Sequence, residues 1–527
     1  MSQRNRLGTG GRIDRTRPLS FNFNGVSLQG FAGDTLASAL LANGVDVVNR
    51  SFKYARPRGV MAAGADEPNA IVQLGSTEAG QVPNVRATQQ ALYNGLVAKS
   101  TNGWPNVDRD VMGLLGSLGG QFMPPGFYYK TFMTPASAWP KYEQYIRKAA
   151  GLGRSPVESD PDIYDHMNHH CDVLIVGAGP SGLAAALAAG RSGARVILCD
   201  EQEEMGGSLL DSRESIDGSP AAEWVATVLA ELATLPDVLL LARTTANGYH
   251  DHNFVTLHER RTEHLADLAP QANGRRQSRA RMHKVRAKRV VLATGALERP
   301  LVYGRNDVPG NMVAGAVSTF IRRYGVIPGK TLVLSTTNDH GYRAALDWHD
   351  AGRTVVAIVD ARDKPDGDLV AAARSRNIRV ISGSAVIEAQ GKKRVTSAVV
   401  AAIDIEGFRV MGSTQELGCD TIASSGGYSP VIHLAAHTGR RPVWREDLFG
   451  FVSGGVPGQI AAGGVNGRWS LRDALEDGFE AGARAAAEAG LNAVTVTPPA
   501  VAAVREGKAV ALYEVPHTKP TMRAPKQ

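Results

Sequence analysis

Residues 171–182 read Cys-Asp-Val-Leu-Ile-Val-Gly-Ala-Gly-Pro-Ser-Gly, and Asp200 follows eighteen residues after the last glycine. The apolar run Val173–Val176 predicts a buried strand. It runs into Gly177, Gly179 and Gly182, and an alanine-rich helix follows over Leu183–Gly190. A second strand, Arg195–Leu198, ends at Cys199-Asp200-Glu201. Each part has a physical task. Gly177 permits a tight turn, Gly179 lets backbone N–H groups approach a pyrophosphate, and Gly182 lets helix and strand pack closely. The helix N-terminus favours negative charge, and Asp200 can accept from a ribose hydroxyl. Together these parts predict a working dinucleotide site in a Rossmann unit.

The chain has 527 residues, enough for three or four domains, and 43% of them are hydrophobic, as in soluble globular proteins. No apolar run reaches the roughly 18 residues a membrane span needs. Met-Ser-Gln-Arg-Asn-Arg at the start has no apolar stretch behind its charges, so no secretory signal is read there. Cys171, Cys199 and Cys419 are far apart and form neither a disulfide framework nor a Cys-x-x-Cys motif, which suits a cytoplasmic protein. The net charge is +7, and residues 1–60 carry most of it, with nine Arg/Lys against three Asp. Aromatics do not alternate with those charges as a base-stacking surface requires, so a face for a partner protein or an anionic cofactor is expected rather than a nucleic-acid site.

Around Asn24-Gly25, residues 18–30 alternate apolar and polar and predict a hairpin. Gly33-Asp34-Thr35 then starts an amphipathic helix over Leu36–Asn43, stopped by Gly44, and Ala70–Leu74 predicts a further strand. This is a β-grasp pattern over 1–100. A connector over 101–170 carries one helix near Trp139–Ala150. The Rossmann domain is expected over 171–330 and 420–490. A second β-α-β unit is inserted over 331–419, and 491–527 forms a tail. The second unit's loop, Ser335–Gly341, lacks glycines for close phosphate approach, and Asp339-His340 there reads as a capped helix start. The pair His169-His170 cannot readily converge on one metal ion. His433 and His437, i and i+4 on a possible helix, read as pocket lining or core.

The fold class is α/β. One Rossmann domain interrupted by another resembles the two-dinucleotide-binding architecture of glutathione and thioredoxin reductases, on the glycine motif, Ala293-Thr294-Gly295 and Gly463-Gly464. That superfamily usually closes its site with Gly-Asp, the aspartate meeting a flavin's ribityl chain. Gly464 stands there instead, so NAD is expected in preference to FAD. No redox-active cysteine pair exists, which excludes disulfide reduction. The N-terminal region resembles a ferredoxin-like domain, yet residues 1–170 hold no cysteine for a cluster.

More specific stretches resemble the α subunit of heterotetrameric sarcosine oxidase: Arg50–Gly59, Gly33–Leu41, Phe127–Phe132, Asp200–Gln202, Gly206–Leu209 and Ser425–Pro430. Related subunits occur in proline and opine dehydrogenases and in hydrogen cyanide synthase. The resemblance implies a complex with β, γ and δ subunits that oxidises sarcosine to glycine, giving hydrogen peroxide and a one-carbon unit. FAD would lie in the β subunit, FMN between α and β, and NAD in this chain. Carried over to this sequence, Gly177, Gly179, Ser181 and Gly182 would meet the pyrophosphate, with Gly207 and Ser208 beside it. Asp200, Glu201 and Gln202 would flank the ribose, and Ala246 the adenine. Gly295, Gly464, Trp469 and Leu471 would close the site. Family α subunits continue into a folate-binding half, about where this sequence stops at Pro525-Lys526-Gln527. Folate is therefore expected only with a half that lies elsewhere. A self-contained FAD-dependent oxidoreductase is the competing expectation.

Overall fold

The computed structural model describes residues 3–52, 54–111, 113, 135–265 and 276–518. The aromatic stretch Phe127–Phe132 lies outside them. The chain forms two compact units, Met1–Pro161 with Pro300–Gly427 and Glu506–Gln527, and Asp162–Arg299 with Tyr428–Arg505.

In the first unit, strands Asp14–Phe23 and Val26–Ala32 form the expected hairpin. Asn24 and Gly25 both take positive φ (52° and 85°), the left-handed pair a two-residue turn needs. Parallel pairing of Asp14–Phe23 with Leu96–Ser100, and antiparallel pairing of Ile71–Leu74 with Leu96–Ser100 on one side and Val82–Arg86 on the other, complete a five-stranded β-grasp sheet. Thr35 caps helix Leu36–Ala42 in a reciprocal box with Ser38. The helix was expected to be amphipathic, but all seven residues are buried. The sheet and this helix share one hydrophobic core with helices Ala314–Arg322 and Tyr342–Asp350, from Phe21 and Leu36 to Phe320 and Trp348. The N-terminal segment covers the remaining side, where Asn5 donates to the Leu41 and Ala42 carbonyls.

Part of the N-terminal positive charge is used inside this unit. Arg6 is buried against Asp34 at 2.6 Å. Arg50 donates to the Val107 and Ala55 carbonyls, and Arg58 pairs with Asp307 at 2.6 Å. The loop before strand Ile71–Leu74 is organised by one carboxylate. Glu67, 1% exposed, accepts from the backbone N–H groups of Met61, Ala62, Asn69 and Ala70 at 2.6–2.8 Å. Burial pushes its carboxyl up against the pull of those four donors.

A parallel sheet in the same unit runs in the order Asn311–Val313, Thr421–Ser425, Thr331–Thr336, Thr354–Asp360, Val380–Ile381. Residues 300–330 and 420–427, expected in the Rossmann domain, therefore belong to this second β-α-β unit. Strand Thr421–Ser425 fills the gap between Asn311–Val313 and Thr331–Thr336, and short apolar strands of this kind carry no sequence mark of which sheet they join. The loop Ser335–Gly341 is occupied by the chain itself. The Gly507 N–H donates to Asp339 (2.8 Å) and the Val510 N–H to the Thr337 carbonyl (3.1 Å). Arg362 bridges Asp339 and Asp360, both at 2.7 Å, and the Tyr342 hydroxyl donates to Asp360. Asp339 is thus not a helix cap. Gly341 takes the N-cap position without a side-chain bond, and His340 faces Glu506 at 3.2 Å.

The second unit is built on the parallel strands Val238–Leu241, Val196–Cys199, Tyr164–Val176, Ala280–Leu292 and Gln459–Ala461. Strand Phe254–Arg260 extends the sheet antiparallel to the first half of Ala280–Leu292, and Thr244–His250 pairs antiparallel with Phe254–Arg260. The strand expected at Val173–Val176 begins at Tyr164, inside the expected connector. Its polar first half has no apolar run, and cross-strand pairs with the basic strand hold it: Arg281 with Asp165 at 2.8 Å and Lys288 with Asp172 at 2.9 Å. His169 and His170 face opposite sides of this strand. His169 is 2.9 Å from His283, whose other ring nitrogen is 3.0 Å from Glu259. Helix Leu471–Glu488 lies on helix Pro180–Arg191, crossing where a Cβ on Gly478 or Gly482 would stand 2.4 or 2.2 Å from the Ser181 or Ala185 carbonyl oxygen.

Glu67→Ala should cost at least about 3 kcal/mol in denaturant unfolding, because it strands four donors, two of them buried and two part-buried, at about 1–3 kcal/mol for each buried one. Glu67→Gln, which keeps one acceptor oxygen, should cost less.

Candidate functional site

The site lies in the second unit, where strand Tyr164–Val176 turns into helix Pro180–Arg191. Gly177 has φ +98°, and a Cβ there would stand 2.3 Å from the Ala293 carbonyl oxygen. A Cβ on Gly182 would stand 1.8 Å from the Gly177 carbonyl oxygen. Both glycines are demanded by the protein's own packing. Gly179 is different. Its φ of −74° and ψ of −169° suit any residue, and a Cβ there meets nothing nearer than 4.0 Å. It caps the helix without a side chain, beside Pro180 at the first helical position, so no capping side chain takes the first-turn N–H groups. That is the geometry that receives a pyrophosphate.

Other backbone surrounds this terminus. The Gly206 N–H donates to the Ala178 carbonyl at 2.9 Å. Gly207 (φ +53°) lies so close that its Cβ would stand 2.8 Å from Gly179 Cα. Ser208 follows, exposed, on the short turn Gly207–Leu210. Gly295 and Gly464 meet backbone to backbone, a Cβ on Gly464 standing 3.3 Å from Gly295. Gly463 (φ +75°) abuts Ser181, where a Cβ would stand 1.9 Å from Oγ. The structure thus gathers Gly177, Gly179, Ser181, Gly182, Gly207, Gly295 and Gly464 around one helix start.

Asp200 serves the loop as well as any ligand. One carboxylate oxygen accepts from the Ala178 N–H at 2.7 Å, the other from the Gln202 N–H at 2.8 Å. A carboxylate has about four lone-pair sites, so acceptor capacity remains. Glu201 is fixed by its backbone carbonyl, which accepts from Arg260. Ala246 is half-buried on strand Thr244–His250, which starts with the Thr244 N–H donating to the Asp200 carbonyl at 2.7 Å. Trp469 packs its ring 5.5 Å from that of Tyr428, and Leu471 is buried at the start of its helix. His433 and His437 bracket one helical turn: His433 opens a four-residue helix, His437 caps it, and His437 Nδ1 accepts from the Tyr249 N–H. Burial pushes the Cys171 and Cys419 thiols up to about 12 and Cys199 further, which leaves them unreactive.

Sequence reasoning missed Asp477, and it read Gly206 and Gly463 only as parts of motifs, without a role of their own at the site. The small-residue stripe Gly478, Ala481, Gly482, Ala485 signals that the last helix packs tightly on another. That would have drawn attention to the charged Asp477 beside it.

The fold and the glycine-rich helix start together define a chain with a Rossmann-type α/β unit. Residues 172–259 match the family described as FAD dependent oxidoreductase, and residues 16–103 the family described as 2Fe-2S iron-sulfur cluster binding domain. Sarcosine oxidase subunit alpha of Rhizobium meliloti (strain 1021) is 45% identical over 502 residues, 95% of this chain and 48% of that one. The protein of the same description from Corynebacterium sp. (strain P-1) is 37% identical, over 93% of this chain and 46% of that one. The chain belongs to the sarcosine oxidase subunit alpha family, and it spans about half the length of these curated relatives. L-proline dehydrogenase from P. horikoshii shares the fold, with a TM-score of 0.59 at 17% identity over 93% of this chain and 77% of that one.

The residues present do not fit an iron–sulfur cluster. Residues 16–103 hold no cysteine, and the loop 61–70 is held by the Glu67 carboxylate. They do fit an adenine dinucleotide, since Gly179 leaves the space a Cβ would fill.

Gly179→Ala should therefore melt within about 0.5 kcal/mol of the wild-type apo chain. It should bind dinucleotide roughly tenfold or more weakly, a loss of at least about 1.4 kcal/mol by titration calorimetry.

Proposed function

We propose that this chain is the α subunit of a sarcosine-oxidising flavoenzyme complex and holds one NAD at the Gly177–Gly182 helix start. The observation that carries the dinucleotide reading is Gly179, a glycine that neither its backbone angles nor its neighbours require. NAD is favoured over FAD because Gly464, pressed against Gly295, offers no carboxylate for a ribityl chain and leaves little room for one. Asp200 and Glu201 suit an unphosphorylated ribose, which favours NAD over NADP. Ser181, Gln202, Gly207, Ser208, Ala246, Trp469 and Leu471 complete the proposed site. The loop Ser335–Gly341 takes no nucleotide, since Gly507, Val510 and Arg362 already occupy its polar groups.

In this reading the amine is oxidised elsewhere in the assembly, on the FAD of a β subunit, with FMN between α and β. Sarcosine gives glycine, hydrogen peroxide and a one-carbon unit, and γ and δ subunits complete the complex. The chain supplies no redox group of its own. Its thiols are buried, and its β-grasp domain has no cluster ligands. A second reading, FAD bound at the same helix start, is favoured by the family match at residues 172–259.

The purified chain tests the two. The first reading predicts a colourless protein that releases NAD on denaturation, identified by mass, and no sarcosine turnover without a flavin-bearing partner. A yellow protein releasing FAD would replace it with the second.

A further inference from the structure

Helix Leu471–Glu488 carries one acidic side chain directed at the closing turn of the site. Asp477 Oδ2 accepts from the Gly463 N–H at 2.7 Å and from Asn466 Nδ2 at 3.2 Å. Both donors belong to the turn Gly463–Asn466. That turn is sterically delicate. Gly463 has φ +75° and abuts Ser181 in the first turn of helix Pro180–Arg191, and Gly464 stands against Gly295. The helix that bears Asp477 is placed in turn by its next residue. Gly478 rides on Ser181, so close that a Cβ would meet the Ser181 carbonyl oxygen at 2.4 Å and its Cα at 2.7 Å. The same Ser181 therefore fixes the register of the helix and borders the turn that Asp477 holds.

We infer that Asp477 is a positioning residue of the dinucleotide site, whose carboxylate pins Gly463 and Asn466 so that the turn stays clear of the glycine-loop helix start. The inference rests on the reading that this helix start holds a dinucleotide. Asp477 accepts the Gly463 N–H, so that donor is not offered to a ligand, and the closing half of the site meets its ligand with backbone at Gly464. Without the acceptor, the turn keeps the bonds from the Gly467 and Arg468 N–H groups to the Gly464 and Gly463 carbonyls, but the Gly463 N–H and Asn466 lose their partner, and glycines at 463, 464 and 467 let the backbone shift. It then samples positions across the space the pyrophosphate needs. The loss appears in ligand affinity, because the helix crossing at Gly478 and Gly482 stays packed. The role needs an acceptor, not a charge. An asparagine can accept the Gly463 N–H through its Oδ1, and it removes a negative charge from the neighbourhood of the pyrophosphate.

The experiment is NAD titration of nucleotide-stripped full-length chain, wild type against Asp477→Ala and Asp477→Asn, with the melting temperature of each apo protein recorded alongside. The expected result has three parts. Asp477→Ala binds roughly tenfold or more weakly. Its apo melting temperature stays near wild type. Asp477→Asn binds as tightly as wild type or tighter. Tight binding by wild type with unchanged binding by Asp477→Ala overturns the proposal and leaves the site reading standing. So does an Asp477→Asn variant that folds but binds as poorly as Asp477→Ala. A wild-type chain that takes up no dinucleotide removes the site reading, and the proposal with it.

Discussion

Backbone must approach backbone without side chains between them at one point, the start of helix Pro180–Arg191. Gly177 turns under Ala293, Gly182 lies on Gly177, Gly207 lies on Gly179, and Gly463 abuts Ser181. Every segment that forms the site is brought there by this requirement. Asp200 ties the loop to the end of the second strand, and Asp477 ties the closing turn to the last helix. Such close backbone leaves N–H groups and a helix dipole, rather than long side chains, as what this helix start can present.

The two β-α-β units show what the same topology becomes with and without that requirement. In the second unit the helix starts at Gly179 with no side-chain cap, and a Cβ there would meet nothing nearer than 4.0 Å. In the first, loop Ser335–Gly341 has no glycine turn, and its polar groups are satisfied by Gly507, Val510 and Arg362. The acid at its second strand end, Asp360, is consumed by Arg362 and Tyr342. The β-grasp domain makes a parallel point. A carboxylate that accepts four N–H groups organises the loop of a domain that matches a cluster-binding family, and the domain shares its core with the neighbouring helices. In both, the polar groups of the loop are satisfied from within the chain.

The glycine fingerprint, the hairpin at Asn24-Gly25 and the acid at Asp200 were legible because each depends on local backbone rules. What was not legible depends on distant partners. Tyr164–His170 forms a strand only because Arg281 and its neighbours pair with it. Leu36–Ala42 is buried all round only because residues 314–350 cover it. Strand Thr421–Ser425 could join either parallel sheet on its sequence alone, so the domain boundary fell several residues early. Asp339 looked like a cap because its partner, Gly507, lies 168 residues away. Asp477 was invisible for a similar reason. Its donors are in the preceding turn, and its meaning appears only when two helices cross at Gly478.

The most direct test is an experimental density map of the chain purified without added nucleotide. The account predicts one adenine dinucleotide, its pyrophosphate over Gly179 and its ribose toward Asp200, with no nucleotide at Ser335–Gly341. An isoalloxazine ring at the first position, or a nucleotide in the second loop with residues 506–510 displaced, would contradict it.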